Sequence, residues 1–109
     1  QKMANTFKNA GVAIGTSRTT LYTAPSSTQS VVHALYISNV DGTNDATVTI
    51  EITIDGGTTY RHIGKTIPVD ADSTLVLEKP INLEAGDILA VTASATSDLE
   101  AVASILEIT

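Results

Sequence analysis

Cysteine and tryptophan are both absent from this 109-residue chain. Without cysteine there is no disulfide, no thiolate metal site and no cysteine nucleophile. Aromatic residues are limited to Phe7, Tyr22, Tyr36 and Tyr60, so the core has to be built from Val, Ile, Leu and Ala. Cations are scarce too: Lys and Arg total 6 against 12 Asp and Glu, a formal net charge of −6. Phosphate binding needs a basic patch, so this balance argues against nucleic acid as the main partner and against anionic lipid. No apolar run approaches the roughly 18–20 residues of a membrane span, so no membrane partner is expected. No basic-then-apolar leader opens the chain; Met3-Ala4-Asn5-Thr6-Phe7 reads as an original translation start behind a Gln1-Lys2 remnant. The 3 prolines and 7 glycines are scattered as turn punctuation and mark no linker, so one domain is expected.

What the chain has in quantity is β-branched residues: 17 Thr, 11 Ile and 9 Val, about a third of the sequence. These fit a pleated, half-buried surface and disfavour helices. The clearest strand is Thr47 to Ile54, where Val48, Ile50, Ile52 and Ile54 alternate with Thr47, Thr49, Glu51 and Thr53. Asp55-Gly56-Gly57 then signals a hairpin into Thr58–Ile63, because glycine supplies the positive φ of a tight turn. Gln29 to Val40 is apolar on both faces, which predicts a strand covered from two sides. Further strands are expected over 18–23, 73–77 and 88–95, with a short edge segment over 79–83 because Pro80 cannot donate to a ladder. The C-terminal stretch 101–108 has helical spacing at Leu99, Val102, Ala103 and Leu106, but also places Val102, Ser104, Leu106 and Ile108 on one strand face. The strand is favoured, since a chain end is best tied down inside a sheet. Seven to eight strands without a helix imply an all-β fold, an antiparallel β-sandwich of jelly-roll-like or immunoglobulin-like type. Residues 1–10 are polar and read as an N-terminal arm, leaving 11–109 as the sandwich domain.

No residues carry a recognisable chemistry. His33 and His62 are the only histidines, and neither falls in a zinc-binding spacing. Gly-x-Ser-x-Gly is absent, and Gly11 to Thr16 lacks the Lys-Ser/Thr ending of a phosphate loop. Asp41, Asn44 and Asp45, and again Asp70 and Asp72, are close enough in sequence to offer oxygen ligands to Ca²⁺. Their spacing matches no EF-hand, and they read as turn acids that accept backbone hydrogen bonds. Glu78, Glu84 and Asp87 form no identifiable carboxylate pair. No enzyme, catalytic residue, metal or other cofactor is therefore expected.

Three segments carry a resemblance: Met3-Ala4-Asn5-Thr6-Phe7-Lys8-Asn9, Ile14-Gly15-Thr16 and Thr20-Leu21-Tyr22-Thr23-Ala24-Pro25. With Ile67-Pro68-Val69, Leu75-Val76-Leu77, Leu83-Glu84-Ala85-Gly86-Asp87-Ile88-Leu89 and Leu106-Glu107-Ile108, nearly the whole chain resembles small all-β virion structural proteins of tailed bacteriophages. That resemblance implies a virion component that decorates or cements a capsid, or else one that sits in the tail, neck or fibres. It transfers no catalytic residues. The expected partners are the chain itself, as a homo-oligomer with a trimer as the expected state, and the major capsid protein or another virion protein. The doubly apolar strand nominates Val32 and Tyr36 as contact residues, and the region near the arm nominates Phe7, Val12 and Ile14. A carbohydrate-binding sandwich is the reading from another class, with Tyr22, Tyr36 and Tyr60 as its available platforms.

Overall fold

A computed structural model describes residues 4–109. Nine strands follow one another without a helix among the described residues: β1 Asn5–Ala13, β2 Thr19–Thr23, β3 Gln29–Asn39, β4 Ala46–Thr53, β5 Arg61–Val69, β6 Thr74–Leu77, β7 Ile81–Leu83, β8 Ile88–Ala93 and β9 Leu99–Ile108. They form two antiparallel sheets. The first runs β1-β9-β3-β6, with β7 also on β3, and the second runs β2-β8-β4-β5.

β6 pairs with Leu35–Ser38 and β7 with Ser30–Val32 of the same strand. They are therefore two halves of one edge strand, interrupted at Glu78-Lys79-Pro80, where proline lacks the N–H a ladder needs. Counted so, eight strands alternate between the sheets except at the β4–β5 hairpin, and pair first with last and second with next-to-last. That double Greek key is the jelly roll, which decides between the two sandwich types the sequence left open.

Period-2 alternation explains the packing. Leu35, Ile37, Ala101, Ala103 and Ile105 face inward from the first sheet, and Val48, Ile50, Leu89 and Val91 from the second, all essentially without exposure. Ile54 does not join them. It lies beyond the end of β4 and is 70% exposed, because the hairpin turn starts there. Asp55 caps that turn by accepting the Thr59 N–H and the Thr53 hydroxyl, while Gly56 and Gly57 supply φ of 75° and 101°.

The C-terminal stretch is a strand. β9 lies between β1 and β3 and buries every second residue from Leu99 to Glu107. The arm expected over 1–10 is a correction from residue 5 on. Asn5 to Ala13 pair with Ile108 to Glu100 in one unbroken register, so the expected boundary at residue 10 runs through β1. The polar composition of β1 suggested an arm because it is an edge strand, and only Ala10 and Val12 pack on the core. The rest of the predicted arm, residues 1–3, lies outside the described residues.

Candidate interaction surface

The outer face of the first sheet is assembled by register. Gly11, Val102, Tyr36 and Val76 lie side by side across β1, β9, β3 and β6. A second row runs Phe7, Leu106, Val31 and Asn82 across β1, β9, β3 and β7. Phe7 is 78% exposed, and Tyr36, Val76 and Val102 are 39–47% exposed. The Phe7 ring also stacks on His33, with centroids 6.4 Å apart. The outer face of the second sheet is of another kind. Its β4 positions are Thr47, Thr49, Glu51 and Thr53, opposite Thr92 and Ala90 of β8, with Glu51, Thr53 and Ala90 buried. One face of the sandwich is thus aliphatic and aromatic and the other is threonine-rich. Two apolar rows on the first sheet's outer side, with Asn9, Ser104 and Ala34 between them, make it the candidate contact surface.

Of the residues nominated from sequence, the structure brings Phe7 and Tyr36 together on this face. Ile14 and Val32 are core residues at 2% and 1% exposure, and Val12 is partly buried against the core. Val32 was nominated from a strand with two apolar faces, which does not say which face is inward, and Val12 and Ile14 only from their place near the arm. Val76, Val102 and Leu106 were missed. Their signal was present: Val102, Leu106 and Ile108 alternate with Leu99, Ala101, Ala103 and Ile105, so β9, like β3, is apolar on both sides.

Two buried carboxylates, Glu51 and Glu107, anchor the polar side chains. Glu51, 6% exposed, accepts from Arg18 Nε and Nη2, both at 3.1 Å, and lies 3.6 Å from His62 Nε2. The Arg18 guanidinium in turn covers the Tyr60 ring at 3.7 Å. The Arg18 hydrogen bonds hold the Glu51 carboxyl below its ordinary range. At the opposite end, Glu107 accepts from the Tyr22 hydroxyl and pairs with Lys8 Nζ at 3.2 Å, while Tyr22 and Ser30 hydroxyls meet at 2.8 Å. Burial, and the Glu107 carboxylate beside it, push the Tyr22 phenol up to about 12. Two of the three tyrosines proposed as sugar platforms are therefore engaged, Tyr22 by Glu107 and Tyr60 by Arg18.

The loop acids are engaged too. Asp41 accepts the Thr43 and Asn44 N–H groups, Asp45 accepts Ala71 N–H, and Asp87 accepts Glu84 N–H. These are turn and loop-bridging acceptors of the kind short polar side chains provide. Among the described residues no three His, Asp or Glu side chains are grouped to hold a metal ion.

No protein-family model matches the chain. No curated protein matches it either. Solved structures do. A chain in the acidic stable capsid structure of Helicobacter pylori bacteriophage KHP30 superposes with a TM-score of 0.55 at 12% identity, covering 99% of this chain and 92% of that one. A chain of the T13 infectious bursal disease virus particle gives 0.56 at 12% identity, over 95% of this chain and 30% of its own length. The Gx strain of that virus gives 0.54 at 10% identity, over 99% and 33%. The chain thus shares a jelly-roll fold found in viral capsid structures. It corresponds to nearly a whole chain in the first and to about a third of the chain in the others.

Proposed function

We propose that this chain is a non-enzymatic structural component of a phage virion, a decoration or cement protein seated on the capsid through the outer face of its first sheet. The observation that carries the reading is the one-sided apolar surface, Tyr36, Val76, Val102 and Leu106, on a closed jelly roll whose inner face is already filled. The extent of the likeness to the KHP30 capsid chain, nearly end to end, supports it. Arg18, Glu51, Lys8, Glu107, Asp41, Asp45 and Asp87 are engaged in holding loops and strands together.

A cement protein binds the assembled shell and not its free subunits, so it stabilises the shell by mass action. The apolar face supplies the affinity, with self-association in the particle as a homo-oligomer adding valency. The net charge of −6 keeps the free protein dispersed.

The test compares heat-induced DNA release from particles made with and without the protein, then adds it back. Particles lacking it should assemble and release DNA at a lower temperature. Wild-type protein should restore the release temperature, and Tyr36→Asp or Val76→Asp should not. Unchanged release, with labelling that places the protein on the tail, would overturn the capsid reading in favour of the tail.

A further inference from the structure

We propose that two copies of this chain pair through their β1 edges, antiparallel and about a two-fold axis at Asn9, so that the first sheet runs continuously through both. Four sheet edges are open in the isolated chain, and three carry devices that block pairing. β2 is five residues long with a register shift between Thr20 and Tyr22. β5 contains Lys65 and Pro68, two register shifts against β4, and Thr66 at φ 48°. The β6–β7 edge is cut by Lys79-Pro80 into pieces of four and three residues. β1 has none of these. It is nine residues long, its register against β9 is unbroken, and it contains no proline. Its one charge, Lys8, is tied to Glu107.

The backbone sets which groups face out. Ala4 and Thr109 exchange both hydrogen bonds, at 3.1 and 2.9 Å, and Ile14 N–H donates to the Leu99 carbonyl at 2.9 Å. Even-numbered residues of this edge therefore aim their N–H and C=O at β9. In an antiparallel ladder that leaves those of Asn5, Phe7, Asn9, Gly11 and Ala13 aimed at the open side. None of these five is charged. A two-fold contact sets this strip against a copy of itself, so an uncharged strip suits self-pairing in a chain of net charge −6.

Register and side chains then agree. Full overlap of two nine-residue strands sets Asn9 opposite Asn9, and it sets Phe7 opposite Gly11. These are all outward-pointing residues, so every pair is hydrogen-bonded. Phe7 is the most exposed large apolar side chain among the described residues. Gly11 borders a shallow hollow of about 350 Å³ formed with Val12, Ala13, Glu100, Ala101 and Val102. In the pair, each Phe7 turns from His33 into the hollow of the other copy. It covers the glycine and meets Val102, as an aromatic does across a strand pair from a glycine.

Pairing covers Val102 and leaves the outer face of Tyr36 and Val76 open, so the inference stands independently of a virion contact made through those two. Sedimentation of the full chain should show a monomer–dimer equilibrium. Asn9→Pro removes an N–H that points away from β9 and should give a monomer with an unchanged circular dichroism spectrum. Phe7→Asp should do the same and decides the matter if the proline variant misfolds. The chain has no cysteine, so Asn9→Cys supplies a single thiol on the axis. Its Cα should lie about 5.5 Å from its copy, within disulfide reach. It should cross-link under mild oxidation, whereas Ala13→Cys, which faces Asn5, should not. A monomer at all concentrations, a trimer or pentamer, an oligomer indifferent to Phe7→Asp, or equal cross-linking at 9 and 13 would each overturn the pairing. Particle binding by a strictly monomeric chain would overturn it and leave the virion reading intact.

Discussion

At the scale of single residues, the two faces of β4 make opposite demands. Ile50 is fully buried between the sheets, while Thr49 lies on the outer face and accepts the Thr66 N–H at 3.1 Å. Ile50→Ala should cost about 2–5 kcal/mol, the range for a large aliphatic side chain removed from a packed core. Ile50→Asp should leave the chain unfolded, because no partner is in place for a buried carboxylate. Thr49→Asp should stay folded, and urea titration of the three variants checks the order. Asp98 and Glu51 should respond to pH with opposite signs. Burial, then the adjacent Asp41 carboxylate, raise the Asp98 carboxyl above its ordinary value. Folded chains therefore hold a proton that unfolded chains release, and stability falls as pH rises through that interval. Asp98→Asn should raise the melting temperature at neutral pH and leave it unchanged below the unfolded carboxyl range. Glu51 is held low by Arg18, so its contribution is complete above the unfolded value and is lost as pH falls through the folded one. Glu51→Gln should flatten the acid side of the stability profile, and thermal melts across pH read both effects.

At the scale of elements, alternation made β4 and its hairpin legible, because one face of that strand is aliphatic and the other is mostly threonine. β3 and β9 were legible as strands, but the direction of their faces was not, because both sides of each are apolar. Only the sandwich itself decides that Val32 and Ile105 go in and that Tyr36 and Val102 go out. β1 was read as an arm for the complementary reason. An edge strand held by backbone hydrogen bonds, with only Ala10 and Val12 on the core, leaves almost no period-2 trace. The bulge in β5 also escaped notice. Residues 65 and 66 both fall opposite Thr49, between the pairs Val48–Ile67 and Ile50–Gly64. Thr66 takes φ 48° there, a conformation that costs a β-branched residue about 1–2 kcal/mol. Thr66→Gly relieves that strain and gives back part of it as unfolded-chain entropy. A net gain of about 0.5 kcal/mol should appear as a small rise in melting temperature.

At the scale of the whole molecule, the strand order ties the two ends of the chain to each other. β9 lies between β1 and β3, so the last ten-residue strand holds the first sheet together, while β1 hangs on its edge. Leu99, Ala101, Ala103 and Ile105 contribute four inward side chains at 0–1% exposure. The N-terminal half of β1 contributes backbone hydrogen bonds, the Lys8–Glu107 pair and the Phe7–His33 contact, with no buried aliphatic group. Removal of the two ends should therefore differ in kind. Deleting residues 99–109 takes out the middle of a sheet, opens the core to water and parts β1 from β3, so no folded remainder is expected. Deleting residues 1–9 leaves every core residue in place and uncovers a β9 edge. Far-UV circular dichroism should show an intact β spectrum, and urea titration a lower midpoint with a slope close to that of the full chain, since little buried surface has been lost. A folded chain without β9, or an unfolded one without residues 1–9, would mean that the core is distributed otherwise than the buried side chains indicate.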